Sequence, residues 1–149
     1  MVRMIRKYWT VLCVGLVVFR IRLLLRVMSL PRVLDELTPE RLTGEPDAAA
    51  LDRVNYYIDR WLQLVPYNRK GNCFPRSLAL YWYAWRYGFP VQFHCGVRMG
   101  YVKMEGHAWL TLDGEAFREL TQQWKTYSVT YTYPPDQSRS RPVAQSVSL

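Results

Sequence analysis

The chain has 149 residues, half of them hydrophobic and 15% aromatic, and it carries a formal net charge of +8. This length suits one compact domain with short appendages, and the apolar content argues against an intrinsically disordered protein. The positive charge favours an anionic partner, such as nucleic acid, an anionic membrane face or an acidic peptide, without choosing among them. The sequence contains neither a phosphate-binding glycine loop nor an HExxH zinc motif.

The N-terminal segment is basic and apolar. Its uncharged run, residues 9–19, is shorter than the roughly 20 residues that span a bilayer, and Arg20 and Arg22 follow it. A signal peptide would need a small-residue cleavage site after the run, and none is found there. Residues 5–30 are therefore predicted to form a helix that Pro31 ends, and residues 32–37 could form one or two further helical turns. The helix could pack on the domain, on a partner or on a membrane surface.

A second helix is predicted after a linker that occupies residues 38–50. Two prolines and a glycine mark the linker, and Asp47 is a suitable N-cap for the helix that follows. Apolar residues then recur every three or four positions as far as Val65, which predicts an amphipathic helix. Pro66 is expected to stop it.

The segment that begins NCFPRSLALYWYAWRYGFP predicts a buried helix. Asn72 is a favourable N-cap, Cys73 is the first helical residue, and Gly88 is typical of the position after a helix end. Apolar side chains occupy nearly the whole circumference between these ends, which indicates a helix that is surrounded by the core.

The rest of the domain is predicted to form an antiparallel sheet. Apolar and polar residues alternate over 91–98, and a second strand is expected at 107–112. Asp113-Gly114 is a strong hairpin signal that leads into a third strand at 115–120, and a fourth is expected at 126–133. The predicted fold is α+β, with the buried helix packed on the sheet.

Cys73 and His107 are the candidate catalytic pair. The free N–H groups and dipole of a helix N-terminus favour a thiolate, and a histidine on a neighbouring strand could serve as its base. A zinc site is disfavoured because His94 and Cys95 alternate on one strand and must face opposite ways. The remaining cysteine, Cys13, and Cys95 are expected to be small buried hydrophobic residues.

Two carboxylates could orient His107. Asp113 lies in the turn, where turn chemistry already explains it, and Glu119 lies on the returning strand. A plain two-residue turn pairs Ala108 with Glu119 and leaves the carboxylate on the wrong face. A bulged three-residue connection pairs Trp109 with Glu119 and brings it to the face of His107. The sequence leaves both turns open.

The motifs NCFPRSLALYWYAWRYGFPVQFHCGVR and GHAWLTLDGEAFRE resemble the transglutaminase-like leader peptidases of lasso peptide biosynthesis, of the stand-alone type. The resemblance covers residues 73–119 and implies a transglutaminase-like, papain-like fold. It also implies that Cys73 is the nucleophile, His107 the base and Glu119 the acid, where the family usually has Asp. No cofactor or metal is implied.

The resemblance implies a cysteine peptidase that removes the leader of a precursor peptide. The implied partners are that precursor, a leader-recognition protein and a lasso cyclase, with no nucleic acid. Two alternatives remain open from the sequence: an acyltransferase of the transglutaminase type, and a non-catalytic basic binding module. The second is disfavoured because core packing explains the tryptophans and the basic residues are scattered.

Three segments are expected along the chain: a helical N-terminal part at 1–45, the peptidase domain at 46–134 and a disordered tail at 135–149. An odd cysteine number without CxxC spacing does not suit a disulfide framework. It predicts a reducing, cytoplasmic location, with the N-terminal helix as the segment that could attach to a membrane.

Overall fold

A computed structural model describes residues 2–40, 42, 44–64, 71–119 and 121–135. Four helices lie in chain order before the sheet: α1 at Val2–Val27, α2 at Leu30–Leu37, α3 at Ala48–Leu64 and α4 at Cys73–Arg86. Four strands follow: β1 at Gln92–Met99, β2 at Met104–Leu112, β3 at Glu115–Ala116 and β4 at Ser128–Tyr133. A short 3₁₀ helix, Gln122–Thr126, lies between β3 and β4.

The strands form one antiparallel sheet in the order β3-β2-β1-β4. Together with the four helices, this confirms the predicted α+β class. α4 packs against both central strands, and its side chains Leu78 and Tyr81 are fully buried beside Phe93 of β1. Because α3 and α1 cover the other side of α4, the helix is enclosed by the core, as its apolar circumference predicted.

α1 packs on the domain, the first of the three placements considered for this segment. Val14, Val18 and Ile21 are buried on one face of the helix. Gly15 allows a close approach to α3, because a Cβ at that position would come within 2.5 Å of the Trp61 ring. The Trp61 indole in turn donates a hydrogen bond of 2.8 Å to the Val11 carbonyl.

The helical turns expected at residues 32–37 form as part of α2, but the predicted end of the first helix is wrong in detail. α1 ends at Val27, and Pro31 stands in the first turn of α2 rather than beyond the end of α1. Proline is tolerated there because its missing N–H would have had no helical acceptor. At α3 the prediction was right about the cap, since the Ala50 N–H donates to Asp47 Oδ1 at 2.9 Å.

The expected third strand is much shorter than predicted. β3 pairs only Ala116 with Thr111 and Glu115 with Leu112, although the Phe117 N–H still bonds the Leu110 carbonyl. β2 is therefore the edge of the sheet at the level of its N-terminal half, which leaves that edge open for side chains from the helices.

The second face of the sheet carries aromatic and polar side chains. Trp109 is 1% exposed, and its ring contacts those of His94, Trp124 and Tyr127. The 3₁₀ helix and the residues after it thus cover the sheet face opposite α4. This layer matters below because His107 belongs to it.

Several expectations lie outside the described residues: the stop at Pro66, most of the loop before Asn72, and the tail beyond residue 135. The expected boundary at residue 45 stays a prediction. Among the described residues, no helix has both the length and the apolarity to cross a bilayer.

Candidate active site

Cys73 opens α4, at the helix end nearest the edge of the sheet. Asn72 occupies the N-cap position, but its side chain does not cap the helix; its Nδ2 donates instead to the Leu62 carbonyl at 3.4 Å. The prediction of the position was right and the expected capping bond is absent. The first turn of α4 is therefore left without a side-chain cap, next to the Cys73 thiol.

His107 lies on β2, where β3 no longer covers the edge of the sheet. Its ring stacks on Trp109, with 5.9 Å between ring centroids and 15° between planes, and contacts Tyr127 at 5.2 Å. Buried Ser77 of α4 donates a hydrogen bond of 2.9 Å to the Ala108 carbonyl. This bond joins the helix that carries the thiol to the strand that carries the histidine.

Glu119 reaches His107. Its Oε2 lies 3.4 Å from His107 Nε2, and its side chain is 11% exposed. With Nε2 facing the carboxylate, Nδ1 is the ring nitrogen that remains for the Cys73 thiol. The structure thus brings Cys73, His107 and Glu119 together in the order nucleophile, base and orienting acid that acyl transfer needs.

The plain two-residue turn forms, yet Glu119 still reaches the face of His107. Asp113 and Gly114 both have positive φ, 52° and 83°, and form a plain two-residue turn with Leu112 opposite Glu115. That register would have put Glu119 on the wrong face. Arg118, at φ 56°, interrupts the alternation and redirects the next residue toward His107.

Arg76 holds this redirected segment in place from α4. Its Nη1 lies 3.8 Å from Glu119 Oε1, and its Nη2 donates to the Arg118 carbonyl at 3.3 Å. Its Nε donates to Asp59 Oδ1 at 2.8 Å, so α3 fixes the guanidinium from the other side. The Arg76 side chain is only 16% exposed, which limits solvent screening of these contacts.

The surroundings of Cys73 favour the thiolate form of its side chain. Burial alone would raise the pKa of Cys73, but the hydrogen bond to His107 and contacts with the backbone of Ala108 and Phe74 outweigh it and leave that pKa lowered. The hydrogen bond to Cys73, followed by that to Glu119, raises the pKa of His107 to about 9. Both shifts favour a thiolate beside an imidazolium at neutral pH.

A cleft of about 260 Å³ opens over these groups. α4 and β2 form one wall, and the 3₁₀ helix with the residues around it forms the other. The lining includes Cys73, Arg76, Ser77, His107, Glu119 and Tyr127. A main-chain carbonyl that entered the cleft would meet the thiol beside the uncapped end of α4.

The other candidate residues lie elsewhere. Asp113 is an exposed turn residue, and among the described residues it has no contact with His107. Both ring nitrogens of His94 bond threonine hydroxyls, at 2.9 Å and 2.7 Å. Cys13 and Cys95 are free thiols of intermediate exposure, so they are less buried than expected.

Arg76 is the site residue that sequence reasoning missed. A signal for it existed, because an arginine in the first turns of a helix that is apolar nearly all round needs a charged partner. It also lies three residues after Cys73, which puts both side chains on the same face of α4. Tyr127, which packs on His107, had no such signal, since aromatic residues are common in strands.

The model of one protein family matches residues 13–132 of the chain, and its description is the transglutaminase-like superfamily. No curated protein and no solved structure matches the chain. The family match begins within α1 and ends in β4, so it includes the whole cleft and the Cys73, His107 and Glu119 side chains. The chain belongs to the transglutaminase-like superfamily, whose members include cysteine peptidases and acyltransferases.

Proposed function

We propose that the chain is a cytoplasmic cysteine peptidase that removes the leader from a ribosomally made precursor of the lasso peptide type. The main support for a hydrolytic cysteine site is the alignment of Cys73, His107 and Glu119 at the open edge of the sheet. The resemblance of residues 73–119 to lasso leader peptidases supports the choice of substrate. Membership of the transglutaminase-like superfamily is consistent with both.

The reaction would begin with attack of the Cys73 thiolate on the carbonyl carbon of the scissile peptide bond. The negative charge that develops on the carbonyl oxygen would be stabilised by N–H groups at the uncapped N-terminus of α4. The His107 imidazolium would then protonate the leaving amine, which departs as the free core peptide and leaves the leader as a thioester on Cys73.

Hydrolysis would complete the cycle. Neutral His107 would take a proton from water, the hydroxide formed would add to the thioester carbonyl, and the Cys73 thiolate would leave as His107 regained its charge. Glu119 would keep the ring oriented through Nε2 during both steps and stabilise its charged form. Arg76 would act on the reaction only through Glu119.

Replacing the nucleophile tests the proposal. Purified chain, a lasso precursor and its leader-binding protein would be incubated and the products identified by mass spectrometry. We expect Cys73→Ala to lower cleavage by roughly 10³-fold or more. Cys95→Ala is the matched control, because this free thiol is also half buried but lies outside the cleft, and it should cleave normally. Normal cleavage by Cys73→Ala would rule out Cys73 as the nucleophile.

The same assay separates hydrolysis from acyl transfer. With a primary amine present in excess, a peptidase releases the leader with a free carboxylate, and a transglutaminase-type enzyme releases it as the amide. The two products differ in mass. We expect the free carboxylate to predominate. A predominant amide would assign the site to acyl transfer and leave the nucleophile unchanged.

Selectivity is expected to depend on a partner. A domain of this size has little surface beyond the cleft at Cys73 for reading a whole leader, so a separate leader-recognition protein would hold the precursor near Cys73. Such tethering raises the local substrate concentration to about the millimolar range. We expect slow cleavage by the chain alone and strong acceleration by the leader-binding protein. Full-rate, selective cleavage without that protein would contradict this.

A further inference from the structure

The outward face of α1 carries a continuous row of apolar side chains that the domain does not use. On the opposite face, Val14, Val18 and Ile21 are buried in the core. The outward row is 50% to 69% exposed at each position and consists of Ile5, Trp9, Leu12, Leu16, Phe19 and Leu23. We call these six residues the α1 seam.

The spacing within the α1 seam alternates between four and three residues. This is the spacing of the a and d positions of a helix that packs along another helix. The seam runs over nineteen residues, or about 27 Å, along a single uninterrupted helix. Arg26 takes the next position and ends the apolar run. A row of this length and regularity exceeds the single exposed apolar residues that are normal on a protein surface.

Arginines flank the α1 seam. In the same heptad frame, Arg6, Arg20 and Arg22 take the positions that border a and d, where interhelical ion pairs form. α1 contains no acidic residue. Arg20 pairs with Glu36 of α2, whereas Arg6 and Arg22 have no acidic partner among the described residues. The border of the seam is therefore cationic on both sides.

From this spacing and charge we infer that the α1 seam binds an acidic amphipathic helix of another protein. The partner helix would place its own apolar row along the seam and its aspartate or glutamate residues beside the arginines. A second copy of this chain fits poorly, because α1 offers no acidic residue to pair with the arginines of another α1. This inference does not depend on the proposed function.

A membrane is the other surface that could cover the α1 seam. An anionic bilayer would accept apolar residues with flanking arginines, but it accepts an apolar face of any spacing. The row's alternating three- and four-residue steps and its flanking arginines match the a, d, e and g positions that a helical partner contacts. The seam therefore favours a helix over a lipid surface.

Two synthetic peptides of about three heptads test the inference, with full-length chain and fluorescence anisotropy as the readout. Both have leucine and isoleucine at a and d. One has glutamate beside them and the other lysine. We expect the acidic peptide to bind and the basic one to bind at least about tenfold more weakly, with affinity falling as salt rises. Equal binding of both peptides would overturn the inference.

The double variant Leu12→Glu/Leu16→Glu should lower affinity for the acidic peptide roughly tenfold or more, because it places charge in the centre of the seam. Leu64→Glu, at an exposed apolar residue that ends α3, is the matched control and should bind as the parent does. Circular dichroism would confirm that both variants are folded. An equal loss in the control, or no loss in the double variant, would refute the role of the seam.

Two further measurements identify the competing occupants. Vesicles rich in phosphatidylglycerol that retain the parent but not the double variant, with neither peptide bound, would assign the seam to a membrane. Sedimentation of the parent as a dimer and the double variant as a monomer would assign it to a second copy. Either result overturns the inference, and we expect neither.

Discussion

Arg76 Nη1 lies 3.8 Å from Glu119 Oε1, so the helix that presents Cys73 also fixes the carboxylate that faces His107. In the proposed mechanism, α4 therefore positions both the Cys73 thiol and the carboxylate that would orient His107. The Arg118 carbonyl, bonded by the same guanidinium, extends this control to the backbone before Glu119. Arg76 is thus a positioning residue in the proposed mechanism.

Replacing Arg76 by methionine should therefore lower cleavage by an order of magnitude or more, because Glu119 and the Arg118 carbonyl both lose their support. Since Glu119 would hold the imidazolium less well, the alkaline limb of the pH–rate profile should also move to lower pH. The measurement is kcat/KM against pH, on variants shown to be folded.

Asp59→Asn is the control for Arg76→Met. It weakens the 2.8 Å ion pair between Arg76 and α3 but leaves the contacts to Glu119 and Arg118 available. It should lower stability with a small effect on kcat/KM. If both variants lost activity in proportion to stability and neither moved the pH profile, Arg76 would have a purely structural role.

The orienting acid can be identified by comparing two amide substitutions. Glu119→Gln should lower kcat/KM by about 10²- to 10⁴-fold, since loss of an orienting carboxylate leaves the imidazole tautomer and charge unsupported. Asp113→Asn should cost little, because asparagine accepts the positive φ of 52° that this turn position needs. The opposite ranking in equally folded proteins would assign the role to Asp113.

Activity should depend on pH through the Cys73–His107 pair. The productive state needs the thiolate and the imidazolium together, so kcat/KM should fall below the lowered pKa of Cys73 and above the pKa of about 9 at His107. These limits belong to the coupled pair. Glu119→Gln removes one cause of the raised His107 pKa and should bring the alkaline limb down. An unchanged limb would contradict the contact between Glu119 and the ring.

Stability should follow the same ionisation. The pKa of His107 rises from 6.5 to about 9 on folding, so the folded state binds the proton more tightly. The resulting stabilisation is complete below pH 6.5 and is lost as the pH rises through 9. Urea unfolding midpoints at pH 6 and pH 9.5 should differ more for the parent than for His107→Gln.

Much of the site could be predicted from sequence because local signals and burial agree there. The cap position, the apolar circumference and the terminal glycine all define α4, and alternation defines β1 and β2. The place of Glu119 could not be predicted in this way. It depends on one left-handed residue, Arg118, whose conformation nothing in its own sequence demands.

Tertiary contacts, and not the local sequence, stabilise the left-handed conformation of Arg118. Its carbonyl accepts from Arg76, and its Nη2 lies 3.0 Å from Asp52 Oδ1 on α3. Positive φ costs a non-glycine residue about 1–2 kcal/mol. Contacts with α3 and α4 stabilise this conformation of Arg118, and such tertiary contacts cannot be predicted from the local sequence pattern. The position of Pro31 could not be predicted for a similar reason, because proline is found both just after a helix end and in the first turn of a helix.

Substitutions at Arg118 test how the backbone orients Glu119 toward His107. Arg118→Gly keeps the carbonyl that Arg76 bonds and removes the backbone strain, at the cost of a partly exposed ion pair with Asp52 that contributes little. We expect stability and kcat/KM close to those of the parent.

Arg118→Val should lower kcat/KM at least about tenfold, because a β-branched residue resists positive φ and would turn Glu119 away from His107. Asp52→Ala isolates the ion pair and should be nearly neutral. Cleavage at the parent rate by Arg118→Val, in a folded protein, would mean that Glu119 reaches the ring without the left-handed residue.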